Sequence, residues 1–162
     1  YYFPDFEIEC QNAENTTNIT RGCGDSGYGA TIGRYSNDWP RYTFFKTESD
    51  YFQTNKLITT KSKLAWIDSN IIVDDVIVSQ KTKPISTKEF KLYGCVRGSN
   101  GAYYKSIRIF YCKMWDSNGA LIRHYIPCYK KSDSTPGMYD VVTRTFNAGA
   151  GSSGSFIVGN DV

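Results

Sequence analysis

The chain has 162 residues, a length typical of one domain, and its 19 basic and 16 acidic residues give a net charge of +3. The charges are interspersed, which speaks against a nucleic-acid-binding arm or a polybasic membrane patch. No apolar stretch approaches the roughly 20 residues that a membrane-spanning helix needs. Because the first residue is Tyr1 and not Met, we expect a preceding segment or a removed leader.

Composition and periodicity both favour β-structure. The chain holds 13 Tyr and 9 Phe, residues that suit a pleated, half-buried surface. No helical period is sustained over ten residues, and the many short runs separated by turn signals indicate a sandwich. The predicted strands are 3–10, 30–35, 41–47, 51–54, 56–60, 64–67, 71–73, 76–78, 90–96, 106–115, 120–128, 138–142 and 156–158.

Two of these segments carry the clearest local signals. Asp74 and Asp75 stand between β-branched runs and predict a tight hairpin. The run 106–115 is apolar at both alternating sets of positions, so we expect a central strand that is buried on both faces. The two expected faces are Ile107, Ile109 and Tyr111 on one side, and Phe110, Cys112 and Met114 on the other.

The cysteine count is odd, and no pair has the C-x2-C spacing of a zinc site. Cys112 and Cys128 lie within apolar predicted strands, and cysteines at such positions are typically buried free thiols. If a disulfide forms, Cys10 and Cys23 are the best candidates, because the residues between them read as a loop.

Catalytic signals are weak. There is no Gly-x-Ser-x-Gly elbow, and the one histidine, His124, has no recognisable partner, so it is interpreted as an ordinary strand residue. Glu7 and Glu9, in Glu-x-Glu spacing at the chain start, are placed as paired acids on one strand face. We therefore expect a protein that is not an enzyme and needs no cofactor.

The C-terminal fifty residues contain the segments "YCKMWD", "NGALIR", "IPC", "GMYD" and "NAGAGSSGSF", and upstream stand "ATIGRYSN" and "IIVDDVIVSQ". Together they resemble the signature of concanavalin A-like, laminin-G-like jelly-roll domains, common in tail and virion structural proteins of phages and prophages. The resemblance spans roughly residues 29–159, with 1–28 as a first strand plus a long loop. It implies one domain over 1–162, an all-β, antiparallel two-sheet jelly-roll sandwich of the lectin/glucanase type.

The resemblance also bears on metals and catalysis. Glucanases of the laminarinase kind place a third acid downstream of the Glu-x-Glu pair, and this chain lacks it. Laminin-G-like domains can bind calcium, which prefers carboxylate, amide and carbonyl oxygens. Candidates by residue type are Asp116, Asn118, Asp133 and Asp140. The alternative is that these residues only shape turns.

Several signature residues have expected structural roles. Gly119 supplies a turn conformation that other residues avoid, and Gly149 and Gly151 let the last loop run close to a strand. Arg123 and Asp140 are charged residues within otherwise apolar predicted strands, so we expect them to form an ion pair.

A sugar site on a sandwich needs exposed aromatic rings beside amide and carboxylate groups. Two clusters fit this description: the first is Tyr35, Asn37, Asp38, Trp39, Arg41 and Tyr42, and the second is Tyr103 and Tyr104. The competing interpretation is that these rings anchor loops onto the sheet, since Trp and Tyr are often buried.

Three functions remain open. The first is a virion-associated or extracellular adhesion module that binds host-surface glycans. The second is a structural virion subunit that binds other virion proteins, with homo-oligomers expected from the family. The third is a secreted cellular lectin. None involves nucleic acid or membrane insertion.

Overall fold

The computed structural model describes residues 4–12, 31–33, 41–45, 50–57, 59–83 and 107–148. These residues form strands and turns, and no helix lies among them. The strands are β1 Asp5–Asn12, β2 Thr31–Gly33, β3 Arg41–Phe45, β4 Tyr51–Leu57, β5 Ser62–Ile67, β6 Asn70–Val73, β7 Val76–Gln80, β8 Ile107–Trp115, β9 Leu121–Tyr129, β10 Pro136–Asp140 and β11 Thr145–Ala148.

The described strands form two antiparallel sheets. The large sheet has eight strands in the order β11-β10-β9-β8-β1-β5-β6-β7, and the small sheet has the order β2-β3-β4. The strands β5 to β7 and β8 to β11 are two series of hairpins, and β1 joins them by pairing with both β5 and β8. The all-β, antiparallel part of the prediction is confirmed, and the arrangement is consistent with a β-sandwich.

The core lies between the two sheets. Phe6, Ile8 and Cys10 alternate along β1 and face the small sheet, where Tyr42 and Phe44 of β3 meet them. Leu64, Trp66, Ile71, Val73, Cys112 and Met114 complete this cluster. Strand alternation leaves the other face of the large sheet to the intervening residues of β1, β5 and β8.

The hairpin predicted at Asp74-Asp75 is present. Val73 pairs with Val76, and the two aspartates between them have positive φ angles of 49° and 67°. A two-residue loop with both φ angles positive matches the twist of the flanking strands, and Asp tolerates this conformation better than most residues.

The faces predicted for β8 are partly wrong. The strand is central in the sheet order, but its register with β1 shifts between Glu9 and Cys10, so that Glu9 pairs with Tyr111 and Cys10 with Ile109. This bulge leaves Phe110 as the extra residue. Ile109 consequently packs against the core, while Tyr111 lies on the opposite face.

Other boundaries also differ from the prediction. The residues predicted as two strands around Asn55 form one strand, β4. The strand β10 ends at Asp140, two residues earlier than expected, because Val141–Arg144 form a turn that leads into β11. β11 itself was not predicted. The strands expected at 90–96 and 156–158 lie outside the described residues, as do Gly149 and Gly151.

The described cysteines are all free thiols. Cys10 and Cys112 are buried, and Cys128 is half-buried. Burial raises the pKa of both the Cys10 and Cys112 thiols to about 12, so neither forms a reactive thiolate near neutral pH. Cys23 and Cys95 lie outside the described residues.

Candidate functional site

The predicted aromatic site is only partly within the described structure. Arg41 begins β3 and is exposed, and Tyr42 follows it in the core with 1% of its surface exposed. The remaining predicted residues lie outside the described ranges; they are Tyr35, Asn37, Asp38, Trp39, Tyr103 and Tyr104.

Tyr42 is a core residue, which corrects the prediction that its ring meets a sugar. Its hydroxyl donates toward the backbone carbonyls of Cys10 and Thr60, each 3.2 Å away. Burial raises the pKa of Tyr42, and the neighbouring Cys10 thiol adds to the effect. The side chain therefore joins β3 to β1 and to the turn before β5, and has no surface to offer a ligand.

The calcium candidates do not come together. Asp116 accepts hydrogen bonds from the amides of Asn118 and Ala120, each 2.9 Å away, in the turn before β9. Asp133 caps the turn after β9, where it accepts from the Thr135 amide and pairs with Lys130. β9 has nine residues, which separates the two turns by roughly 30 Å. One ion cannot be bound by both.

Gly119 has the predicted role in the first of these turns. Its φ is +76°, a value that side chains other than hydrogen disfavour, and its amide donates to the Asp116 carbonyl. Across the described residues, no group of three or more His, Cys, Asp or Glu side chains could hold a metal ion.

Arg123 and Asp140 do lie together. Arg123 Nε is 3.6 Å from Asp140 Oδ2, although the arginine is largely exposed and only the aspartate is buried. Asp140 also accepts hydrogen bonds from the His124 amide, the Val142 amide and the Thr143 hydroxyl. Burial acts to raise the pKa of Asp140, but these hydrogen bonds outweigh it, and the pKa lies below its ordinary value.

The described structure offers a different polar site, on the face of the large sheet that points away from the small one. We call this the outer face and define it by Glu7, Glu9, Lys63, Tyr111, Lys113 and His124. The strand register places them in two adjacent rows. One row runs from Glu7 to Lys113 to His124, and the other from Lys63 to Glu9 to Tyr111.

Tyr111 lies at the centre of the outer face. Its hydroxyl donates to Glu7 Oε1 at 2.9 Å, and Lys113 Nζ is 3.6 Å from the same oxygen. Lys113 also lies over the Tyr111 ring, 5.1 Å from its centroid, and His124 meets that ring edge-on at 6.4 Å. Burial and the hydrogen bond that the hydroxyl donates to Glu7 raise the pKa of Tyr111 well above its ordinary value, so it stays a hydrogen-bond donor.

Glu9 is held by a different lysine, Lys61. Glu9 Oε2 lies 3.2 Å from Lys61 Nζ, and Lys61 also lies over the Phe110 ring, 4.0 Å from its centroid. Lys63 forms an ion pair with Asp75, whose hydrogen bond raises the pKa of Lys63. The side chains of Glu7 and Glu9 remain 19% and 27% exposed, so a ligand can reach them.

This face combines polar and aromatic groups of the kinds found in carbohydrate-binding sites. Glu7 and Glu9 supply hydroxyl acceptors, Lys63 and Lys113 supply donors, and Tyr111 supplies an aromatic ring. The sequence indicated the two acids through Glu-x-Glu alternation. It gave no signal for Tyr111 and Lys113, because the bulge shifts the faces of β8.

No helix within the described ranges is long and apolar enough to cross a membrane. Comparison of the chain with protein-family models, with curated proteins and with solved structures finds no match in any of the three.

Proposed function

We propose that this chain is a non-enzymatic, lectin-like jelly-roll module of a phage virion or tail protein, and that it binds host-surface glycans. The jelly-roll type and the virion context rest on the sequence resemblance. The observation that carries the binding function is the outer face, where Tyr111, two carboxylates and two lysines converge on a broad sheet.

The shape of the outer face supports this proposal. Eight strands at a spacing of about 4.8 Å make a surface roughly 34 Å across, which accommodates several sugar rings. Pre-formed contacts among Glu7, Tyr111 and Lys113 fix the polar groups before a ligand arrives, which lowers the entropic cost of binding.

The first experiment measures binding of the purified chain to an array of immobilised glycans, with calcium and with a chelator. We expect reproducible binding that chelation does not abolish. A Trp39→Ala variant, tested in parallel, shows whether the predicted loop contributes. Absence of binding by folded protein under both conditions would contradict the adhesion proposal.

One observation favours the structural alternative, a virion subunit that packs against other copies or other virion proteins. β7 ends the order of the described large sheet, and Val76, Ile77 and Val78 are 60%, 58% and 38% exposed. Exposed apolar residues on an uncharged terminal strand are typical of surfaces that pair with another chain.

Light scattering after size-exclusion chromatography tests this alternative. A subunit that assembles through β7 should give an oligomer that an Ile77→Lys variant reduces to monomer. A wild-type protein that is monomeric at high concentration would contradict it. This measurement of oligomeric state does not depend on the outcome of the glycan-array experiment.

A further inference from the structure

Lys83 and Asp5 form a buried pair that is not among the residues defining the outer face, although Asp5 lies on the same side of β1 as Glu7. Lys83 lies in the segment that leaves β7, and Asp5 is the first residue of β1. Their side chains are only 9% and 11% exposed, and they are in direct contact as an ion pair. Within the described residues, Lys83 Nζ has no other polar partner. A lysine and an aspartate so enclosed lose much of their hydration.

The chain two residues before Lys83 is anchored by hydrogen bonds. The Lys81 amide donates to the Ser69 carbonyl at 2.7 Å, and Trp66 Nε1 donates to the Lys81 carbonyl at 3.0 Å. The segment therefore crosses the end of the large sheet where β5 ends and β1 begins. This places Lys83 beside Asp5, where its amine contacts the carboxylate.

The surroundings also favour chemistry between the two groups. The Asp68 amide donates to Asp5 Oδ1 at 3.1 Å, so a hydrogen-bond donor already faces the oxygen on which charge develops if the carboxyl carbon is attacked. Burial lowers the pKa of Lys83 to about 8, so a sizeable fraction of the amine is neutral and nucleophilic in mildly basic solution.

We propose that Lys83 and Asp5 condense into an intramolecular isopeptide bond. The ammonium first passes a proton to the carboxylate, giving an amine and a carboxylic acid, a neutral pair that a water-poor site favours over two ions. Lys83 Nζ then bonds to Asp5 Cγ, the Cγ–Oδ2 bond breaks, and Oδ2 leaves as water with two of the three ammonium protons. Atoms and charge balance without an oxidant or co-reactant.

The enforced contact between the amine and the carboxyl group accelerates the condensation. Amines and carboxylic acids condense very slowly in dilute solution, but groups held in contact reach effective concentrations on the order of 10⁵ M or more. The product is a covalent link from the start of the central strand β1 to the segment that follows β7. It would hold β5, β6 and β7 on the sheet under mechanical or thermal stress.

The test is the intact mass of the denatured wild-type chain, followed by peptide mapping after chymotrypsin digestion. We expect a mass lower than that of the sequence by one water, and a branched peptide that joins Lys83 to Asp5. The half-exposed pair Lys81 and Asp50 is the internal control and should remain unlinked.

Two variants distinguish this reaction from other losses of water. Lys83→Arg keeps the charge but lacks a nucleophilic amine, so it should retain the full mass. Asp5→Asn should give the same branched peptide with loss of ammonia in place of water. A wild-type chain that keeps its full mass after prolonged incubation, with no branched peptide, would overturn the proposal.

Discussion

Phe44 of β3 meets Trp66 of β5 edge to face, with ring centroids 6.2 Å apart and planes at 80°. Both side chains have no exposed surface. This contact joins the small sheet to the large one at the middle of the core. Offset and edge-to-face aromatic pairs add favourable energy beyond the burial of their area, so the packing of the two sheets depends strongly on these rings.

We therefore expect Phe44→Ala to lower the free energy of unfolding by about 3–5 kcal/mol, because it removes a buried ring and leaves a cavity. Urea unfolding followed by Trp fluorescence measures the loss. Phe44→Leu serves as the milder comparison and should cost less. A loss below about 1 kcal/mol in Phe44→Ala would mean that the two sheets do not share this core.

Tyr42→Phe separates the core role of this residue from a role in binding. Two backbone carbonyls lose their donor, and we expect a loss of about 1–3 kcal/mol in unfolding free energy with no change in glycan binding. Tyr129→Phe, at a tyrosine that is 49% exposed, is the matched control and should leave stability unchanged. Weaker glycan binding by stably folded Tyr42→Phe would restore the original sugar-contact interpretation.

The lowered pKa of Asp140 makes the free energy of unfolding depend on pH in the acid range. Its pKa in the folded chain lies below the value of about 3.9 expected in the unfolded chain, so the unfolded state binds more protons in that window. Its contribution is fully present above the unfolded value and is lost as the pH falls through the folded one.

We expect Asp140→Asn to lower the unfolding free energy by about 1–3 kcal/mol at neutral pH. The difference from wild type should shrink as the pH falls below about 4, where the carboxyl of the unfolded chain takes up a proton, and it should level off once the folded carboxyl is also protonated at lower pH. Parallel urea titrations at neutral and acid pH measure both effects. A difference that stays constant over this range would show that the ionised carboxylate contributes nothing.

Gly137 has its own steric requirement. A Cβ atom at this position would lie 2.5 Å from Cζ of the Phe146 ring and 2.6 Å from the Asn147 carbonyl oxygen. We expect Gly137→Ala to cost about 1–3 kcal/mol, since the backbone oxygen cannot rotate away. The double variant Gly137→Ala/Phe146→Ala relieves only the ring contact. Thermal unfolding of both variants measures the effect, and a neutral Gly137→Ala would contradict the close packing of β10 on β11.

The sequence predicted those parts of the fold that depend on neighbours in the chain. The Asp74-Asp75 hairpin and the Gly119 turn follow from a few adjacent residues with special backbone preferences. The faces of β8 did not follow, because the bulge at Phe110 arises from pairing with β1, about a hundred residues earlier. Simple alternation along β8 places Ile109 with Tyr111, and the bulge separates them.

Contacts between residues far apart in the chain also limited prediction of the candidate functional site. Tyr42 follows a polar, loop-like segment of the sequence, and only its burial and its hydrogen bonds to Cys10 and Thr60 in the structure show that it is a core residue. The outer face requires Glu7 and Tyr111, 104 positions apart, to meet across two strands. The pair of Arg123 and Asp140 was predictable because charged residues within an apolar predicted strand need partners. In the structure, the pairing of β9 with β10 brings the two side chains together.

The most direct test of the central claim compares glycan binding by wild type with binding by Glu7→Gln/Glu9→Gln, whose folding is checked by urea unfolding. Asp133→Asn, in the turn after β9, is the matched control and should bind as wild type does. We predict at least a tenfold loss of affinity, about 1.4 kcal/mol, in the double variant. Unchanged affinity in a folded double variant would contradict the assignment of the outer face as the glycan-binding surface.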